Sequence, residues 1–306
     1  MYTVNRNELR IFRAICNGAK STADLANALG ISTLSVYRAA QKLSSSKIID
    51  VTRTGKRLLL SPSPYSHSAA LATYLRASER PIEPLIGSRL LVLLSVSSNP
   101  KSLKRVAKEV KLTSESVRKI VSMLKNFGAI FQEKRMISIP RSDIALVRFL
   151  QDYSRGACAA KLESFATSGT ILWSEGIEFI FSSRTPVRTS DASETGITAM
   201  SKRGLQFISD SRYYHYAYWR PRLKREDIAL HQILTDPNNT RSISYSLLFL
   251  MKEDYNPSYL AELGDSTGAG VLSRQVIEYL RGSPVENPHF PSRSDMARLR
   301  AQYGVS

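Results

Sequence analysis

Side chains capable of covalent or metal chemistry are few in this chain and poorly spaced for it. Glu175, Glu178, Asp191 and Glu194 fall near predicted strands, the setting in which a metal-dependent nuclease would hold its ions. No Asp…Glu-x-Lys arrangement accompanies them, and four carboxylates among the 17 that follow Arg148 need no catalytic reason. The histidines, His67, His215, His231 and His289, lie far apart and never at i, i+4 spacing, which argues against a metal site. His231 reads as a helix residue with a satisfied ring nitrogen. Cys16 and Cys158 are the only cysteines, which excludes a disulfide scaffold and any Cys-rich zinc site. Neither a Gly-x-Gly-x-x-Gly loop nor a Walker-type phosphate loop occurs, and no Ser-His-Asp set follows from spacing. The expectation is a non-enzymatic protein with no cofactor and no metal.

What the sequence favours instead is electrostatic. Lys and Arg exceed Asp and Glu by 17 over 306 residues. Met1 to Arg148 carries 25 basic and 9 acidic residues, whereas Phe149 to Ser306 carries 18 and 17. So steep an asymmetry points to a polyanionic partner for the first half, nucleic acid before membrane surface. A hydrophobic fraction of 42% with 23% charged residues is ordinary globular composition and excludes wholesale disorder. No apolar run approaches the roughly 18–20 residues of a membrane span, and the N-terminus shows no signal-peptide core. A cytoplasmic protein of two or three domains with no membrane partner is expected.

The elements that position the basic residues come as a repeat. Sliding the sequence by 81 positions superposes Ser21–Ile49 on Ser102–Ile130 without a gap. Leu25 meets Val106, Ala26 meets Ala107, Val36 meets Val117, Arg38 meets Lys119, and Leu43 meets Leu124. In the first copy a helix over Glu8–Asn17 buries Leu9, Phe12, Ile15 and Cys16. Thr22–Leu29 is a second helix ended by Gly30, and Ile31 plugs the core. Ser32 caps a third helix whose inner face is Val36, Ala40 and Leu43. A hairpin follows, Ile48–Val51 and Leu58–Leu60 around a basic turn. The second copy has Arg89–Val96, Leu103–Val110, Leu112 as plug, Thr113 as cap, and a hairpin of Gly128–Phe131 and Met136–Ile139 around Gln132–Arg135. Ser61–Pro84 reads as a spacer with a helical stretch at Ala69–Arg76.

Three helices and a hairpin, with glycine or a polar cap before the third helix, form the winged helix-turn-helix pattern. Both copies resemble the winged helix-turn-helix domains of prokaryotic transcription regulators. The residues that carry the likeness are Leu25-Ala26 through Gly30-Ile31-Ser32, Val36-Tyr37-Arg38 and Leu43 to Ile49, with Val106-Ala107 through Leu112-Thr113, Val117-Arg118-Lys119 and Leu124 to Ile130. The resemblance implies that each third helix enters the major groove of double-stranded DNA. The outward positions would then be Thr33, Ser35, Tyr37, Arg38 and Gln41 in copy one, and Ser114, Ser116, Arg118, Lys119 and Ser122 in copy two. In that placement Arg38 suits guanine and Gln41 suits adenine, while the serines hold phosphates. The wing tips, with Arg53, Lys56 and Arg57 in one and Lys134 and Arg135 in the other, suit backbone or minor-groove contact.

Beyond about Gln151 the texture changes. Ile171–Trp173 and Ile177–Phe181 read as a hairpin, and Thr195–Leu205 as a short helix ended by glycine. Tyr213–Trp219 reads as an aromatic strand. With Arg212, Arg220 and Arg222 alongside it would suit base stacking, but its alternation favours a strand buried between layers. Lys224–Leu234, Ser242–Lys252, Pro257–Leu263 and Gly270–Leu280 read as helices, with a short basic helix at the end. Trp173-Ser174-Glu175-Gly176, Thr195–Ala199 with Gly204-Leu205, and Arg225–Leu230 are loosely similar to the C-terminal part of the abortive-infection (type IV) antitoxin family. That likeness implies a protein partner, a toxin-like enzyme, and repression of the protein's own operon.

The resulting expectation is an α+β chain: winged helices over 1–63 and 87–150, a linker over 64–86, an α/β domain over 151–223 and a helical region over 224–306. Its function would be sequence-selective transcriptional regulation through DNA. The second half would serve effector or partner binding and homodimer formation. An antitoxin-like role is the alternative, and a nucleic-acid-processing enzyme the second alternative.

Overall fold

The computed structural model describes residues 3–305 except 17, 19, 56, 77–79, 167, 220–221 and 253. It has an α+β fold of two compact units, Met1–Lys161 and Leu162–Ser306. Among the described residues no helix is long and apolar enough to cross a membrane.

The first unit opens with α1 (Arg6–Ile15), β1 (Lys20–Ser21), α2 (Thr22–Leu29), α3 (Thr33–Ser45), β2 (Ile49–Thr54) and β3 (Arg57–Pro62). After α4 (Ser66–Arg76) the order repeats as α5 (Ser88–Ser95), β4 (Lys101–Ser102), α6 (Leu103–Glu109), α7 (Ser114–Asn126), β5 (Phe131–Glu133) and β6 (Met136–Ser138). Each copy closes an antiparallel three-stranded sheet, ordered β1-β3-β2 and β4-β6-β5. The short first strand of each sheet was not legible beforehand. Its two residues pair Lys20 with Leu60 and Lys101 with Ile137, too short a run to show any periodicity.

Capping explains the helix boundaries. Asn5 and Glu8 form a reciprocal capping box, so α1 starts at Arg6 rather than at Glu8; Asn17, its expected end, lies outside the described residues. Ser32 and Thr113 accept bonds from the backbone N–H groups of Ser35 and Ser116 and fix the starts of α3 and α7. The backbone N–H groups of Ile31, Ile48, Leu112 and Ala129 return to the carbonyls of Ala26, Leu43, Ala107 and Leu124 at 2.9–3.1 Å. These are the same closing bond at the same place in both copies. Leu9, Phe12, Leu25, Val36 and Leu43 are buried in copy one, and Val106, Val117, Val121 and Leu124 in copy two. Ile31 and Leu112 are only half-buried, since each sits at the edge of a turn rather than inside the core.

Two sequence readings need correction here. The segment taken as a spacer contains α4, whose His67, Ser68, Leu71, Tyr74 and Leu75 are buried, so it is part of the packed unit. The boundary placed at 150/151 falls inside α8 (Ile144–Glu163), a helix of 20 residues that buries Leu146, Phe149, Leu150, Tyr153 and Cys158.

The second unit contains β7 (Gly169–Glu175), β8 (Glu178–Ser183), β9 (Ala192–Glu194), α9 (Gly196–Lys202) and β10 (Arg212–Ala217). Then come α10 (Arg225–Thr235), α11 (Thr240–Met251), α12 (Pro257–Ser266), α13 (Gly270–Leu280) and α14 (Arg293–Tyr303). The sheet runs β7-β8-β10-β9 with antiparallel neighbours. Strand β10 is interior, and Tyr214 and Tyr216 stack on Phe181 and Phe179 with ring centroids 5.2 and 5.0 Å apart. Burial of Tyr214, His215, Tyr216 and Ala217 makes this a strand covered on both faces rather than an exposed stacking platform. Of the arginines beside it, Arg220 lies outside the described residues.

Candidate nucleic-acid interface

Helix α3 turns Val36, Ala39, Ala40 and Leu43 inward, which leaves Thr33, Tyr37, Arg38 and Gln41 exposed on the opposite face. The amide nitrogen of Gln41 donates to the Tyr37 hydroxyl at 3.0 Å, so the two side chains form an i, i+4 pair on that face. Ser35 departs from the expectation. It is half-buried, with its hydroxyl 2.8 Å from that of Ser32, and serves the helix cap.

Helix α7 repeats the design, with Ser114, Arg118, Lys119 and Ser122 exposed. Ser116 is half-buried and accepts from the Thr113 hydroxyl at 2.9 Å. The i+3 position after a Ser or Thr cap thus belongs to the cap in both copies, and neither serine stands on the outer face. Lys119 pairs with Glu115 at 2.8 Å, both side chains being solvent-exposed, an ion pair of small energetic weight.

The β2–β3 and β5–β6 hairpins carry exposed cations near their tips. In the first, Thr54 pairs with Arg57 across a two-residue tip, and Arg53 donates to the Gly55 carbonyl at 3.2 Å. Arg53 and Arg57 are exposed, and Lys56 lies outside the described residues. In the second, Glu133 pairs with Met136, and Lys134 and Arg135 form the exposed tip with φ of 46° and 68°.

Between α7 and the β5–β6 hairpin lies a concavity of about 320 Å³ lined by Arg118, Ser122, Lys125, Asn126 and Gln132 together with Leu103 and Val121. The sequence reading missed Lys125, Asn126 and Gln132. For Lys125 and Asn126 the signal was present, because positions 118, 122, 125 and 126 share one helix face, and that periodicity was followed only as far as Ser122; Gln132 stands on β5, outside it.

Charge divides at the boundary between the units. The first holds 27 basic and 10 acidic residues, and the second 16 of each, so the entire excess of +17 belongs to the first. Two Glu residues of the first unit are committed internally. Glu8 pairs with Lys42 at 2.8 Å, and Glu109 accepts from Lys101, Arg105 and Ser95 at 3.0, 2.6 and 2.7 Å.

The second unit brings together residues that sequence spacing kept apart. The rings of His215 and His231 lie 4.3 Å apart between centroids. His215 Nε2 is 3.2 Å from Glu178 Oε2, and His231 Nδ1 is 2.9 Å from Thr195 Oγ1. All four residues are buried, so they form an internal polar seam between sheet and helix. Among the described residues no group of three or more His, Cys, Asp or Glu is arranged to hold a metal ion. Of the other three carboxylates considered for nuclease chemistry, Glu175 is buried at the end of β7, Glu194 pairs with Lys202 and Asp191 is half-buried.

No curated protein matches the chain. Residues 189–305, which run from just before β9 to the end of α14, are similar to the family described as HVO_2833_C, C-terminal.

Proposed function

We propose that this protein is a sequence-selective, double-stranded DNA-binding transcriptional regulator. Its first unit carries two winged helices that act on one target, and its second unit serves partner or effector binding. The carrying observation is the coincidence of charge and exposure. The unit that holds all of the +17 excess also exposes Arg38, Gln41, Arg118 and Lys119 on its third helices and Arg53, Arg57, Lys134 and Arg135 at its wings. Phosphate contacts from such cations supply affinity, and the Arg and Gln side chains on a helix face supply base recognition.

The test is selection of duplexes from genomic fragments by the full chain, followed by binding measurements on the winning sequence. Selection should converge on a defined site, and Arg38→Ala with Gln41→Ala should weaken that site by about 2–6 kcal/mol, at roughly 1–3 kcal/mol for each side chain. Failure to enrich any sequence, with binding that is equally weak on every duplex, would overturn the proposal. Co-purification with an enzyme whose activity the chain suppresses through residues after Lys161, without DNA binding, would support the antitoxin-like alternative instead.

A further inference from the structure

The second copy of the repeat holds a cavity of about 640 Å³ that shares no lining residue with the concavity beside α7. Three parts of the first unit wall it. Residues 96–100 join α5 to β4, Phe131 and Ser138 are register partners across the β5–β6 hairpin, and Val147 and Gln151 stand one turn apart on α8. Sites for small organic molecules span roughly 300–1,000 Å³, and this cavity falls within that range.

The repeat shows that the module does not require such a lining. Phe131 stands 81 positions after Asp50 and holds the same place in its sheet. Asp50 faces Ser61 and Phe131 faces Ser138, each next to the strand residue paired with Lys20 or Lys101. Copy one thus puts an exposed carboxylate where copy two puts a phenylalanine that is 43% exposed. By the same register, Ile139 stands where copy one has Pro62. A lone exposed apolar side chain needs no explanation, but one set beside a cavity with Val147, and with Val96 and Ile139 buried in the same lining, marks a binding surface.

The polar part of the lining selects the ligand. Arg141 is exposed and is the single charged residue among the described residues that line the cavity; Ser138 and Gln151 are half-buried and neutral. The acidic residue nearest to Arg141 in sequence, Asp143, is committed elsewhere, since Arg80 donates to both of its oxygens at 2.6 and 2.5 Å. A guanidinium forks onto a planar carboxylate, and apolar walls suit a hydrocarbon body attached to it.

We propose that this cavity binds a small amphipathic carboxylate, whose head group pairs with Arg141 and whose aromatic or aliphatic body lies against Phe131 and Val147. The site is independent of DNA binding and is tested without DNA. Calorimetric titration of the full chain with indole-3-acetate and with octanoate, each compared with its neutral amide, is the experiment. At least one carboxylate should bind at a single site with Kd below about 1 mM. Its amide should bind roughly 10–100-fold more weakly, the factor expected of a hydrogen bond to a charged group. Arg141→Gln should weaken the carboxylate by the same factor and erase the preference over the amide. Phe131→Asp, which installs the residue of copy one, should abolish binding. Arg148→Gln removes an exposed cation of α8 that lies outside the lining, and should change nothing. All three positions are exposed, so the variants should melt as the unaltered chain does. Failure of both carboxylates to saturate in that range, equal binding of acid and amide, retention of binding by Phe131→Asp, or an equal loss with Arg148→Gln would overturn the proposal.

Discussion

Removing the Glu109 carboxylate tests the internal electrostatics of the second copy of the repeat most sharply. Lys101 and Glu109 are each 1% exposed, and Glu109 also accepts from Arg105 and Ser95. A buried lysine that loses its carboxylate keeps the cost of leaving water without the compensating attraction, and breaking such a pair typically costs about 3–5 kcal/mol. For a unit of this size, at about 2–4 °C per kcal/mol, Glu109→Ala should lower its melting temperature by roughly 6–20 °C. The repeated module itself does not demand the carboxylate. The position 81 residues earlier is Ala28, and the lysine equivalent to Lys101 is Lys20, which is only half-buried. The penalty therefore belongs to the buried Lys101–Glu109 pair, and Lys101→Met in the Glu109→Ala background should recover part of the loss. Urea unfolding of the full chain followed by circular dichroism, with calorimetry, measures both. A loss under about 1 kcal/mol for Glu109→Ala, or no recovery in the double variant, would refute this reasoning.

Three further outcomes are expected. Burial holds the His67 imidazole below its ordinary pKa of 6.5 despite its bonds to the backbone of Ser46 and Lys47 and the charge of Asp152. The unfolded chain then takes up the proton first, so stability is full above about pH 6.5 and is lost as pH falls towards the folded value. The urea midpoint should drop between pH 7.5 and 5.5, and His67→Gln should flatten that dependence; an equally steep profile would count against it. Lys134→Asn with Arg135→Gly should raise stability by about 1–2 kcal/mol through relief of left-handed strain, measured as a higher urea midpoint. In the second unit, a methyl group at Gly264 would overlap the side chain of Ser273 where α12 meets α13. Gly264→Ala should cost about 1–3 kcal/mol, and Ser273→Gly in the same chain should restore much of it.

Much of the architecture was legible because its signals are local. Caps at Ser32 and Thr113, Gly30 after α2 and a three-to-four-residue apolar period marked the helices, and the 81-residue offset revealed the duplication. The outward set on α3 and α7 followed from the same period, apart from Ser35 and Ser116. Those two failed because a capping hydroxyl draws in the residue three positions on, an interaction that a helical wheel ignores. Helix α8 was missed although Leu146, Phe149, Leu150 and Tyr153 keep a helical period, since Gly156 interrupts its second half; α4 was read as a helical stretch over Ala69–Arg76, with its first turn obscured by the prolines before it. Long-range pairings left no trace in the sequence. Nothing in the spacing of Glu178, His215, His231 and Thr195 announces that sheet and helix would bring them into one buried row.

The most direct measurement is hydrogen–deuterium exchange of the full chain with and without a selected DNA duplex, read by mass spectrometry. Peptides spanning α3, α7 and the β2–β3 and β5–β6 hairpins should gain protection on binding, and the gain should disappear at high salt. Protection confined to residues after Lys161, or no change anywhere in the first unit at a concentration where DNA is bound, would contradict the account.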